Sequence, residues 1–293
     1  MIAIEGIGLC KTYDHVQAVS NVSLGLEENK IYGLIGRNGA GKTTLLRLLS
    51  GHAFPTQGQA RIYGQEVFEN SRAMEQTCFV REREFAKYGR RLREIFSACR
   101  IFYPNWDTDL ELKLISAFGL DTKKKYDKLS RGMESMVGII KGLASRAPVT
   151  LFDEPTLGLD AAHRELFYDV LLEDYSAHPR TIVLSTHLID EVGKIIEEVL
   201  VMDRGQLKFQ EGVDDLLEQG RYLSGPKALI DEVTRGREVL HREELGNTAI
   251  AAVWGRIEQD EESVLIAQGV DVSLIPLQKL FVYLTGEKGG IRA

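Results

Sequence analysis

Continuous apolar runs, more than strict alternation, pattern the middle of the chain. KIYGLIG (30–36), VTLFDEP (149–155) and TIVLSTH (181–187) are apolar or β-branched almost throughout and end in glycine or polar residues. That is how strands buried on both faces read. A stretch with helical spacing follows each one: TTLLRLLSG (43–51), closed by Gly51, then Ala161 to about Ser176, then LIDEVGKIIEE (188–198). Strands alternating with helices predict a parallel α/β sheet. VLVMDRGQLKFQEG (199–212) predicts two strands joined by a turn at Asp203–Gly205, and strand-like runs at Ile2–Leu9 and Val16–Leu26 open the chain. Residues 72–128 are richer in charge and helical pattern, and the helical stretch near 83–147 reads as an insertion into the alternation.

After about residue 213 the grammar changes. Strand (221–224), helix (226–235), strand (238–244), strand (248–254), helix (about 257–268), strand (270–275) and a last helix, PLQKLFVYLTG, succeed one another. That order predicts a small ferredoxin-like α+β unit. The domains expected are therefore 1–212 and 213–293. In the second, Trp254, His241 and the acidic run EQDEE (258–262) read as core, surface and surface, with no catalytic constellation.

Composition narrows the possibilities. The chain has 293 residues, 44% hydrophobic and 27% charged, which is ordinary globular usage. Its 36 Lys and Arg face 43 Asp and Glu for a net charge of -7, giving no electrostatic reason to expect nucleic acid as a partner. Cys10, Cys78 and Cys99 are scattered without metal-site spacing, which suits a reducing compartment. The opening MIAIEGIGLCKTYD lacks a basic segment followed by an apolar core, so no secretory leader is expected there. No apolar run approaches the roughly 18–20 residues that span a bilayer.

Chemistry enters with GRNGAGKTT (36–44), which fits the phosphate-loop pattern G-x-x-x-x-G-K-[ST] between a predicted strand and a predicted helix. Gly36, Gly39 and Gly41 let backbone N–H groups curl around phosphate oxygens. Lys42 reaches β- and γ-phosphates, and the Thr43 hydroxyl suits Mg²⁺. LFDEP (151–155) ends a buried strand with Asp153, placed for the Mg²⁺ shell, and Glu154, a candidate to polarise water. A helix N-cap needs one acid, whereas two at a strand end beside a phosphate loop point to hydrolysis. STHLIDE (185–191) puts His187 at the end of the next strand, where ligands of open α/β sheets gather.

LSRGMES (129–135) has two readings. Met133, Met136, Val137, Ile140, Leu143 and Ala144 fall at helical spacing, so Ser130 reads as the cap of a core helix. Alternatively, the helix N-terminus is held open for an anion.

Together GRNGAGKTT, LSRGM, TLFDEP, GLD (158–160) and STHLIDE, in that order, resemble the ATP-binding cassette family, the ATPase subunits of ABC transporters, over about residues 1–212. The resemblance implies a P-loop NTPase fold of ABC type, with an antiparallel β subdomain and an inserted helical subdomain. It implies Mg²⁺–ATP, a second cassette packed head-to-tail, either the same chain or a sister ATPase, and an integral membrane permease, which would place the chain in the cytoplasm on the inner face of the membrane. Each P-loop would face the partner's LSRGM, so Ser130 and the amides near Gly132 would bind a γ-phosphate held by the other subunit.

By the same resemblance the cradle is Gly36, Asn38, Gly39, Ala40, Gly41, Lys42, Thr43 and Thr44; Tyr13 matches the aromatic that stacks on adenine, with a core tyrosine as the other reading, Asp160 contacts the opposite subunit, and His187 is the switch histidine. FYPNWD (102–107) and KKKYDKLSRGM (123–133) resemble the single-cassette branch related to bacitracin-type exporters, which favours export.

Two departures stand out. The family's usual L-S-G-G-Q has Arg131 and Met133 at its third and fifth positions here; Arg131 is either an ATP-contacting candidate, a cation beside a polyanion, or a solvent-facing residue. In TCFVREREF (77–85) the family's Mg²⁺-coupling glutamine is absent and Glu82 takes its place as a candidate ligand. The basic stretch 81–96 is either a solvated helical face or a docking surface for the permease. A soluble nucleotide switch acting on a non-membrane partner is the competing function. The ribosome-acting type carries two cassettes and the DNA-repair type a long coiled coil, and this sequence has neither.

Overall fold

The computed structural model describes residues 1–86 and 89–285, which fall into two compact units, Met1–His187 with Ile195–Gln210, and Leu188–Lys194 with the chain from Glu211 onward. Lys87 and Tyr88, within the basic stretch, and Gly286, the end of the last predicted helix, lie outside the described residues.

The first unit is built on a six-stranded sheet ordered 206–212, 198–203, 31–35, 181–186, 149–153, 77–80. Strand Ile31–Ile35 pairs in parallel with Thr181–Thr186 on one side and Glu198–Asp203 on the other. Thr181–Thr186 pairs in parallel with Val149–Asp153, and that strand with Thr77–Val80. The three apolar runs picked out by pattern thus contribute neighbouring strands, and every residue of strands 31–35, 149–153 and 181–186 is buried. An antiparallel four-stranded sheet, Val16–Glu27, Ile2–Tyr13, Gln57–Ile62 and Gln65–Glu66, adjoins this core; Leu9, Val22 and Ile62 bury in one apolar cluster with Leu45, Leu151 and Val183.

Three helices, Leu92–Phe102, Thr108–Ala117 and Arg131–Ala144, fill the insertion. Helix Arg131–Ala144 buries every residue from Met136 to Ala144. It lies close on strand Val149–Asp153 because Gly142 has no side chain: a Cβ there would stand 2.3 Å from the Phe152 ring. Leu151 and Phe152 are both fully buried, and each such side chain is worth about 1.5–3 kcal/mol relative to exposure.

One predicted element shortens. Of the helix expected over 188–198, only Ile189–Val192 is helical. The end of that stretch is captured by the sheet: Glu197 N–H donates to the Ile31 carbonyl at 2.8 Å, and Glu198 starts a strand opposite Tyr32.

The second unit has strands Gly220–Pro226, Glu238–Leu245, Thr248–Trp254 and Asp271–Leu274, with helices Lys227–Val233 and Gln259–Ala267 between them and Leu277–Thr285 after them. Its antiparallel sheet runs 238–245, 248–254, 220–226, 271–274, the ferredoxin-like order. Leu223, Ile230, Ala251, Val253 and Leu265 form its core.

Candidate functional site

The buried strand Ile31–Ile35 delivers the chain into the glycine loop, and helix Lys42–Leu49 begins directly after it. Gly41 makes this junction possible, with φ of 102° and no space for a Cβ, which would meet the Ala18 carbonyl at 2.4 Å. The helix N-terminus therefore opens on the loop, where amide donors and the macrodipole favour an anion. Residues 37–44 line a cavity of about 490 Å³ together with Val16, Gln17, Glu154 and Arg204. Lys42 is buried; its ammonium donates to the Gly36 carbonyl at 2.7 Å and stands 3.5 Å from Glu154 Oε1.

Asp153 closes the neighbouring strand system. Its Oδ1 accepts from Thr43 Oγ1 at 3.1 Å and from Ser185 Oγ at 2.8 Å. Burial pushes its pKa up, and the two hydroxyls pull back against that rise. Glu154 follows in a left-handed conformation, φ 49°, at a cost of about 1–2 kcal/mol. Its N–H donates to the Ser185 carbonyl and hydroxyl, at 3.1 and 3.0 Å. This fixes the carboxylate between Lys42 and His187, whose Nδ1 lies 2.7 Å from Glu154 Oε2. The parallel pairing thus gathers Lys42, Thr43, Asp153, Glu154 and His187 at the carboxyl ends of three adjacent strands. Thr43 and Asp153 together offer hard oxygen donors to a cation. Among the described residues no group of three His, Cys, Asp or Glu could hold a metal unaided.

Ser185 was missed by sequence reading, although it lies in the same STHLIDE stretch that singled out His187; a serine within a buried strand carries no signal until its neighbour is known. Arg204 and Val16 were missed for the same reason, since only the fold brings them to the loop.

The remaining candidates stand apart from that cavity. Ser130 caps helix Arg131–Ala144, its hydroxyl accepting from Met133 N–H at 3.3 Å, and it is exposed. Gly132 packs so tightly that a Cβ would stand 2.5 Å from the Gly158 carbonyl, and Ser135 Oγ donates to the Leu157 carbonyl at 2.6 Å. Asp160 caps helix Ala161–Ala177, and the backbone N–H and ring Nδ1 of His163 both meet its carboxylate, which holds that carboxyl below the usual range. Tyr13 ends its strand, 39% exposed, with the Lys11 ammonium 5.0 Å from its ring centre. Arg131 Nε donates to Glu82 Oε1 at 2.9 Å. Glu82 also borders a small cavity of about 20 Å³ shared with Asp153 and Glu154.

A nucleotide-binding loop, a carboxylate pair and a histidine on adjacent parallel strands, with an inserted helical segment, define a P-loop ATPase of cassette type. The ABC transporter family model matches residues 19–157. The chain is 31% identical to the methionine import ATP-binding protein MetN of Bacillus subtilis, covering 76% of this chain and 68% of that one. It is 28% identical to the bacitracin transport ATP-binding protein BcrA of Bacillus licheniformis, across 97% of both chains. Among solved structures, an ATP-binding subunit of an ABC transporter superposes with a TM-score of 0.65 at 22% identity, covering 74% of this chain and 92% of that one. The chain belongs to the ATP-binding cassette family, and its activity is that of the family, ATP binding and hydrolysis.

Proposed function

We propose that the chain hydrolyses Mg²⁺–ATP to energise transport by a separate integral membrane permease, as one of two cassettes that close on ATP. The convergence of Lys42, Thr43, Asp153, Glu154 and His187 carries this reading. Loop amides and the Lys42 ammonium hold the β- and γ-phosphates. Glu154, held by His187 and Lys42, takes the proton of a water as its oxygen attacks the γ-phosphorus. The bond from phosphorus to the β–γ bridging oxygen breaks, that oxygen leaves with ADP, and His187 steadies the Glu154 carboxylate beside the phosphate. Thr43 and Asp153, with Glu82 as the third candidate, would hold Mg²⁺, which supplies charge neutralisation at the phosphate oxygens. The fit rests on Asp153: a buried carboxylate whose pKa is raised by desolvation gains from a cation. Tyr13 would stack on adenine.

Ser130, Gly132 and Asp160, which do not line the phosphate-loop cavity, would act on the nucleotide of a second cassette. No helix among the described residues is long and apolar enough to cross a membrane. A groove of about 650 Å³, bordered by Arg81, Phe85, Ile95, Phe102 and Tyr103, supports docking of a permease segment, which would put the chain on the cytoplasmic face. Similarity across 97% of both chains to a protein named for bacitracin transport supports transport as the work that hydrolysis drives.

The test is the mass of Glu154→Gln in solution with Mg²⁺–ATP and with Mg²⁺–ADP. A dimer with ATP but not ADP is expected. A chain that binds no ATP would overturn the reading.

A further inference from the structure

Three successive loop residues, Glu82, Arg83 and Glu84, each meet a side chain of the same helix, Arg131–Ala144. Glu84 Oε1 lies 2.5 Å from the ammonium of Lys141, which also donates to the Phe79 carbonyl at 2.8 Å. Arg83 Nε lies 4.0 Å from Glu134 Oε2, and Glu82 Oε1 2.9 Å from Arg131 Nε. The signs alternate, so no two adjacent loop residues compete for one partner.

The contacts grade from buried to exposed. The Lys141 side chain is 5% exposed, Glu134 10%, and Arg131 57%. A buried, hydrogen-bonded pair is hard to break, whereas an exposed one is worth little by itself. The loop is therefore pinned at Glu84, and its outer end is steered by Arg131. That outer end matters because Glu82 borders the small cavity shared with Asp153 and Glu154.

We propose that Arg131 is a positioning residue for Glu82: it aims the Glu82 carboxylate at the Asp153–Glu154 end of the ATP site and acts on hydrolysis only through Glu82. This rests on the ATPase reading above. Arg131 and Glu82, each odd for the family in isolation, then form one paired feature of this chain.

The experiment is a kinetic cycle of the full chain, Arg131→Gln, Glu82→Gln and the double variant, with Arg131→Lys as the conservative replacement. Expected is a fall in kcat of about three- to fivefold for Arg131→Gln, with KM for ATP little changed. The double variant should be no slower than Glu82→Gln alone, and Arg131→Lys should recover most of the rate. A double variant that falls by the product of the two single effects would overturn the proposal, because Arg131 would then act by itself. So would an unchanged Arg131→Gln. If the unaltered chain hydrolyses no ATP, the functional reading fails separately. The same cycle read as thermal midpoints then decides the pair, since strict additivity there would overturn it.

Discussion

The two ends of the cassette's chemistry are built differently. At the phosphate loop, Lys42 and Asp153 are 6% and 8% exposed, and the side chains around them bond one another: Thr43 and Ser185 to Asp153, Lys42 and His187 to Glu154. At the LSRGM end, Ser130, Arg131 and Asp160 are exposed, and their bonds are two local helix caps and one exposed ion pair to a loop distant in sequence. The first end is set for chemistry before any ligand arrives. The second is an exposed helix N-terminus, where the macrodipole favours an anion. That difference supports the proposal that the exposed end acts on a phosphate held by another chain.

The largest effect is expected at the pre-set end. Glu154→Gln should lower kcat by about 10²–10⁴-fold while ATP still binds, read by phosphate release and by equilibrium binding. His187→Ala should cost less, about tenfold to a hundredfold, because it removes the group that orients Glu154 and not the carboxylate itself. Retained activity in Glu154→Gln would move the base elsewhere.

Gly142→Ala probes the packing beneath both ends. Its Cβ would stand 2.3 Å from Phe152, so a loss of about 1–3 kcal/mol is expected in denaturant unfolding. An unchanged midpoint would show that the helix can shift off the strand without penalty.

Asp153→Asn should act in the opposite direction on the nucleotide-free chain. Burial raises the Asp153 pKa above its ordinary 3.8, so the folded state keeps that proton to higher pH than the unfolded chain does. Its contribution is most favourable below the ordinary value and is lost as pH rises through the folded value. Asn removes that loss, so the melting temperature at pH 7 should rise, while stabilisation by Mg²⁺–ATP disappears.

Much of this was legible because the signals were local. Uninterrupted apolar runs marked the three buried strands, and glycine spacing marked the loop between Ile35 and Lys42. The cap at Ser130 followed from a hydroxyl ahead of helical spacing, and the ferredoxin-like order after residue 213 followed from alternating short elements. What stayed hidden depends on partners distant in sequence. Ser185 meets Asp153 across 32 positions, and Arg131 meets Glu82 across 49. Strand Gln57–Ile62 was invisible because QGQARI carries few apolar residues and is held by pairing with Ile4–Cys10. The helix expected over 188–198 gave way to pairing with strand Ile31–Ile35, a tertiary preference that overrides spacing.

Mixing two disabled variants shows whether the exposed end completes another chain's site. Lys42→Ala removes the phosphate-binding ammonium, whereas Ser130→Asp keeps a good helix cap and sets a carboxylate against phosphate. Each alone should be nearly inactive. Mixed in equal amounts they should regain a substantial part of the ATPase rate, because in a mixed pair the intact loop of one chain meets the intact Ser130 end of the other. A mixture no more active than the sum of its parts would contradict the shared site.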